Sequence, residues 1–385
     1  MNLFEFVTMP RIIFGNGSIQ QVGSLAAEFG ERVLIVSGKS QDRLMKLLEI
    51  LQHQELEVFV FPVTGEPTVE DIRAGVLFAR EKLCDVVLGF GGGSALDASK
   101  AIAVLYSNEG DIYDYLEVIG KGKSLSGPGL PLITVPTTAG TGAEVTRNAV
   151  IGAPDRRVKV SLRSSVMLAK IALIDPQLTH SAPPEVTART GMDTLSQLVE
   201  PFISNQSNWM TDIFCREGMR RVKNSISKAY HSGGDLLARE DMAFASLLSG
   251  LALTNAKLGV VHGFASVIGG VYPAPHGAVC ARLLPPVVTA NLKALQERGE
   301  DGLTLEKFSE MARILTGDDH ARPMDGVEWM ERLVQVLRIP PLSSFGLREA
   351  DFPQLVEKAM VASSTKGNPV VLTPDEMRNI LIQAL

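Results

Sequence analysis

The chain has 385 residues, which is long for one hydrophobic core, so two domains are expected. It is 45% hydrophobic and 21% charged, with a formal net charge of −6. That is a globular composition without the basic footprint nucleic acid requires. No apolar run is long enough to span a bilayer, and the opening MNLFEFVTMPRIIFGNG lacks the basic-then-apolar order of a secretory signal. The three cysteines, Cys84, Cys215 and Cys280, are spaced neither as a disulfide framework nor as a CxxC metal cage. A cytoplasmic protein acting on a small molecule is expected, with neither membrane nor nucleic acid as partner.

Residues 1–179 alternate between short apolar runs and amphipathic stretches. RVLIVS (Arg32–Ser37), EVFVFP (Glu57–Pro62), DVVLGF (Asp85–Phe90) and LPLITVP (Leu130–Pro136) read as strands. VEDIRAGVLFAREKL, between the second and third, has helical spacing of its apolar residues. Such alternation predicts a mostly parallel sheet covered by helices. After Thr179 the strand pattern stops, and HSAPPEV (His180–Val186) marks a boundary, because adjacent prolines resist a helix and then suit its start. Residues 180–385 are expected to be all helical.

In DVVLGFGGGSALDASKAIAV a buried strand runs into Gly91–Gly93, and Ser94 is placed to cap the helix that follows. Glycines there admit a ligand close to the backbone, and the helix N-terminus favours a pyrophosphate, although the spacing is not GxGxxG. A second loop, TVPTTAGTGAEVT (Thr134–Thr146), presents hydroxyls and small residues beyond another strand. Either loop alone could be a turn satisfying its own backbone; two on one sheet favour a ligand crevice.

In the helical half, GMDTLSQLVE sets Asp193 and Gln197 four residues apart on one helix face. Glutamine is a weak ligand, so by itself the pair reads as half of a metal site, a degraded one, or a pocket wall. GVVHGFASVIGGVYPAPHGAVCARLLPP supplies His262 and His276, two of only six histidines. Gly269–Gly270 and Pro273–Pro275 bend the chain between them, and His276 lies at an expected helix start.

Together GGGSALDASK, PTTAGTGAEVT and the histidine segment resemble the iron-containing (group III) alcohol dehydrogenase family, from PRIIFGNGS through the helical half. The resemblance implies an α/β Rossmann-like N-terminal domain (1–179) and an all-α C-terminal domain (180–385), the dehydroquinate synthase-like architecture. It places the active site in the cleft between them. The implied reaction is NAD(P)-dependent oxidation of an alcohol or reduction of an aldehyde, and a homodimer is implied as well.

Carried over by motif, Gly92, Gly93 and Ser94 hold the pyrophosphate, with Asp97 and Lys100 on the following helix. Thr137, Thr138, Thr141 and Thr146 line the cofactor, Lys159 lies by the ribose and nicotinamide, and Leu178 follows ALIDPQ. Many NAD-preferring relatives carry an acid after the strand RVLIVS represents, but Gly38 stands there, beside Ser37, Lys39 and Ser40. Without that negative charge a 2′-phosphate is tolerated, and NADP(H) is expected over NAD(H).

By the same resemblance Asp193, His262 and His276 are metal ligands and the catalytic centre. Gln197 replaces the family's fourth ligand, a histidine, and Ser266 stands where many relatives carry a further histidine. Two histidines and a carboxylate remain sufficient for Fe(II) or Zn(II), with Gln197 as a weak or outer ligand. Phe264, Val267, Ile268 and Trp209 are candidates for the pocket wall and equally explicable as helix core. Three rivals stand beside this reading. A dehydroquinate synthase-like lyase needs basic groups that HGFASVIGGVY does not offer. A metal-free reductase of the maleylacetate type would draw its cations from Arg147 or Arg163. A non-catalytic protein would bind nucleotide without turnover.

Overall fold

The computed structural model describes residues 3–156, 158–299 and 302–385. The chain forms two compact units, one of Val7–Thr138 with Gly142–Ser181, the other of Met1–Phe6, Ala139–Thr141 and Ala182–Leu385.

In the first unit the strands are β1 (Arg11–Phe14), β2 (Arg32–Ser37), β3 (Glu57–Pro62), β4 (Val86–Gly91), β5 (Leu132–Pro136), β6 (Asn148–Ala153), β7 (Val158–Arg163) and β8 (Ile171–Ile174). Six form a parallel sheet in the order β1-β8-β5-β4-β2-β3, and β6 and β7 form a separate antiparallel pair. The runs in β4 and β5 are buried throughout, as the interior of a sheet covered on both faces requires. Helices α1 (Val22–Ala27), α2 (Gln41–Gln52), α3 (Val69–Glu81) and α4 (Gly93–Leu105) belong to this unit. Helix α3 begins at a reciprocal cap: Thr68 Oγ1 accepts from the Asp71 amide at 3.2 Å while the Asp71 carboxylate accepts from the Thr68 amide at 2.9 Å. Helix α4 lies tight on β4 because Gly89 has no side chain; a Cβ there would sit 2.3 Å from Ser99 Oγ.

From β2 the chain proceeds to β3 on one side of the sheet, and then resumes with β4 on the other. The carboxyl ends of β2 and β4 therefore form a topological switch point, where open parallel sheets leave a crevice for ligands.

The second unit holds α5 (Pro184–Ile203), α6 (Trp209–His231), α7 (Leu236–Ala256), α8 (Val260–Val271), α9 (His276–Arg298), α10 (Gly302–Thr316), α11 (Pro323–Val336), α12 (Phe352–Val361) and α13 (Pro374–Ala384). Pro183 and Pro184 start α5 as the sequence suggested, since a proline in the first turn lacks only a hydrogen that has no helical acceptor. Phe202, Phe264, Phe308 and Phe352 are fully buried in the shared core. Phe264 and Ile268 are thus core residues rather than pocket wall, and Trp209, at the start of α6, is 63% exposed. Helix α9 is apolar enough to be mistaken for a membrane span, but 78% of its apolar window is buried inside the unit.

Candidate metal and cofactor sites

Three helices of the second unit bring the metal candidates together. Helix α5 carries Asp193, Gln197 and Glu200 on one face, four and three residues apart. Helix α8 supplies His262 in its first turn, after α7 and α8 turn through 100°. Helix α9 supplies His276 as its first residue and Cys280 one turn later. Gly277 lets α9 start against α5, since a Cβ there would lie 2.1 Å from the Arg189 carbonyl oxygen.

Asp193 Oδ1 lies 3.4 Å from His262 Nε2 and 3.7 Å from His276 Nε2. Cys280 Sγ lies 3.8 and 3.6 Å from the same two nitrogens. One donor atom from each of the four residues falls within 4.8 Å of all the others. Asp193 Oδ1 is buried, and among the described residues none donates a well-aligned hydrogen bond to it. A buried carboxylate oxygen without a donor is costly unless a cation completes it, so the donor set fits a divalent metal.

The remaining contacts orient the ligands. Asp193 Oδ2 accepts from Gln197 Nε2 at 3.2 Å, and Gln197 Oε1 accepts from Ser249 Oγ at 3.1 Å. Gln197 thus steadies Asp193 through its amide nitrogen, while its oxygen shares the single Ser249 hydroxyl hydrogen with the Ser246 carbonyl, 2.8 Å from that hydroxyl. That contact is the one an outer ligand would make, the weaker of the two roles expected for Gln197. Glu200 Oε2 sits 2.6 Å from His262 Nδ1, and Glu200 Oε1 accepts from the Val261 amide at 2.7 Å. Glu200 thereby satisfies an orphan amide at the N-terminus of α8 and holds the His262 ring with Nε2 toward Asp193.

Burial opposes ionisation of Asp193, but His276, His262 and Cys280 outweigh it and hold its carboxyl below the ordinary range. Burial likewise works against a proton on His276, yet Cys280 and Asp193 bring its pKa up to about 9. For His262 the opposing desolvation is overcome by Cys280, Glu200 and Asp193, and its pKa lies well above the usual value. In the absence of metal, protons thus occupy nitrogens that a cation would claim, which is the competition expected of a metal site.

Cys280 and Glu200 are the functional candidates that the sequence reading missed. The signal was present: Cys280 follows His276 by four residues, and Glu200 follows Asp193 by seven, each on one helix face. The lone cysteine escaped notice because only paired-cysteine spacings were diagnostic.

The cofactor candidates of the first unit gather at its switch point. The amide of Gly38, after β2, donates to the Phe90 carbonyl at 3.3 Å, and a Cβ on Gly38 would meet nothing within 4 Å. Ser40 precedes α2 without capping it by its side chain. Gly92, not Ser94, is the N-cap of α4, and Gly93 and Ser94 lie inside the first turn. No side chain caps this N-terminus, so its amides remain available to an anion. Thr137 is buried, its amide bonded to the Gly91 carbonyl at 2.8 Å, and a Cβ on Gly92 would approach Thr138 Oγ1 at 3.2 Å. Arg43, unforeseen, reaches the carbonyls of Thr137 and Leu178 at 3.4 and 3.5 Å.

Other candidates are occupied by structural partners. Asp97 pairs with the buried Lys100 at 2.8 Å and accepts from the Val150 amide at 3.0 Å. Lys100 also donates to Thr146 Oγ1 at 2.9 Å and to the Asn148 carbonyl, tying α4 to the start of β6. Lys159, on β7, pairs with Glu66. Thr141 falls with Ala139 and Gly140 in the second unit, where the Gly140 carbonyl accepts from Thr194 Oγ1 at 2.9 Å.

Residues 10–176 match the model of the iron-containing alcohol dehydrogenase family, and residues 187–385 match that of the C-terminal region of the Fe-containing alcohol dehydrogenase family. The chain belongs to this family and is an oxidoreductase acting on the CH–OH group. It is 34% identical to the 1,3-propanediol dehydrogenase of Klebsiella pneumoniae over 99% of both chains. It is 32% identical to alcohol dehydrogenase 4 of Saccharomyces cerevisiae over 98% of both. A crystal structure of 1,3-propanediol oxidoreductase superposes with a TM-score of 0.93 at 33% identity, covering 100% of each chain. Relatives named for NAD and for NADPH both occur.

Proposed function

We propose that this dehydrogenase interconverts a small aldehyde and its alcohol with NADP(H) in preference to NAD(H), at a divalent metal held by Asp193, His262 and His276. The observation that carries the reading is Asp193 Oδ1, buried without a well-aligned donor among the described residues and facing Nε2 of both histidines. When bound, the metal supplies Lewis acidity to a substrate oxygen and the nicotinamide supplies the hydride.

The side chains do the holding. Glu200 fixes the His262 tautomer, Gln197 steadies Asp193 Oδ2, and Ser249 steadies Gln197. Ser266 Oγ donates to the Gly263 carbonyl at 2.9 Å. It therefore serves its own helix. On the cofactor side, the uncapped α4 N-terminus with Gly92, Gly93 and Ser94 receives the pyrophosphate. Gly38, Lys39 and Ser40 accept a 2′-phosphate, since the residue directly after β2 is a glycine and the nearest acid, Asp42, stands in the first turn of α2.

Three buried free cysteines support a reducing, cytoplasmic setting. A homodimer is proposed from the resemblance.

The test is oxidation of NADPH and NADH by a panel of short aldehydes, before and after chelation and reconstitution with Zn(II) or Fe(II). Activity lost on chelation, restored by metal and faster with NADPH is expected. Turnover indifferent to chelation, or absent with every aldehyde and metal, would overturn the reading.

A further inference from the structure

We propose that Cys280 is the fourth protein ligand of this metal, its thiolate taking the place that Gln197 leaves, so that the centre is of the zinc type. The inference rests on the metal reading above and adds a ligand to it.

The geometry points this way. Tetrahedral coordination at ordinary zinc bond lengths sets neighbouring N and O donors about 3.3 Å apart, and N and S donors about 3.6 Å apart. The structure has 3.4 and 3.7 Å for the N–O edges and 3.8 and 3.6 Å for the N–S edges. Cys280 is fully buried, and so is the Asp193 Oδ1 that faces the same centre. Gln197 is excluded by its own bonds: turning its carboxamide over would set Oε1 against Asp193 Oδ2, so the amide nitrogen stays on that side.

A divalent cation with one carboxylate, one thiolate and two neutral imidazoles is electrically neutral by itself, and the buried Glu200 carboxylate beside His262 lies outside that set. On metal entry the Cys280 thiol and any protonated Nε2 of His262 and His276 give up their protons to buffer, and sulfur and nitrogen keep the electron pairs for the metal. Thiolate is soft, favouring Zn(II) over a site of hard oxygen donors.

The test uses the full chain, stripped with chelator and loaded with Co(II) or Zn(II), as wild type, Cys280→Ser and Gln197→Ala. Expected are a thiolate-to-cobalt charge-transfer band in wild type and Gln197→Ala, and its absence in Cys280→Ser that still binds Co(II). Zinc affinity of Cys280→Ser should fall about 100-fold, the upper end of losses seen for outer partners of metal ligands. X-ray absorption at the zinc edge of wild type alone should show one sulfur at about 2.3 Å, which decides the matter if Cys280→Ser fails to fold. Cobalt bound without the band, or zinc without sulfur, overturns the proposal and leaves the Asp193, His262 and His276 reading standing. Failure of wild type to bind either metal overturns both.

Discussion

Glu200 and His262, 62 residues apart in sequence, meet at 2.6 Å between Oε2 and Nδ1, and the other Glu200 oxygen receives the Val261 amide. One carboxylate thus both caps a helix and sets the tautomer of the histidine on that helix. Glu200→Gln keeps the volume but can no longer accept at both oxygens. Metal affinity, read by competition with a chromophoric chelator, is expected to fall about 10–100-fold. Unchanged affinity would mean that His262 needs no help from Glu200.

Gly277 governs the distance between α5 and α9. Gly277→Ala places a methyl 2.1 Å from the Arg189 carbonyl oxygen and 3.3 Å from the Asp193 Cβ, so α9 must move. The cost is expected to be at least about 1–3 kcal/mol by denaturant unfolding, with weakened metal binding because His276 and Cys280 both ride on α9. Normal stability combined with normal metal affinity would contradict the packing account.

Gly38→Asp tests the cofactor assignment at no structural cost, because a side chain there enters open space. The new carboxylate should repel a 2′-phosphate and accept from a ribose hydroxyl. The ratio of kcat/KM for NADPH over NADH is expected to drop about tenfold or more, ~1.4 kcal/mol in differential binding. A ratio that does not move would place the 2′ position elsewhere.

Glu144 is buried in the first unit, and burial raises its pKa to about 7 against the pull of a backbone hydrogen bond and Lys100. Unfolded, the group titrates near 4.5. Between these values the folded state holds the extra proton, so stability is greatest below about 4.5 and declines as pH rises toward about 7, then levels off. The decline from this group is about 3 kcal/mol. Glu144→Gln should abolish that decline in the pH dependence of the unfolding free energy. A variant whose pH dependence parallels the wild type would rule Glu144 out as its source.

The strands from β2 to β5, the end of the strand pattern near Thr179 and the helix start at Pro184 were legible in the sequence, because each follows from local periodicity or proline chemistry. So were Asp193, His262 and His276, through motifs whose order resembles a known family. Other features were not legible. The bonds of Asp97 to the Val150 amide and of Lys100 to the Asn148 carbonyl join groups some fifty residues apart. Ser94 looked like a cap, but α4 begins two residues earlier.

By itself, then, the sequence determined which elements form and which side chains are capable of metal and nucleotide chemistry, since propensity and residue type are local. Only the tertiary structure decided which of these side chains meet. Cys280 comes within 4.8 Å of Asp193, His262 and His276 because α9 starts against α5 at Gly277, and Gln197 lies between Asp193 and Ser249 because α5 packs on α7. Those are distances between helices, and no local pattern encodes them.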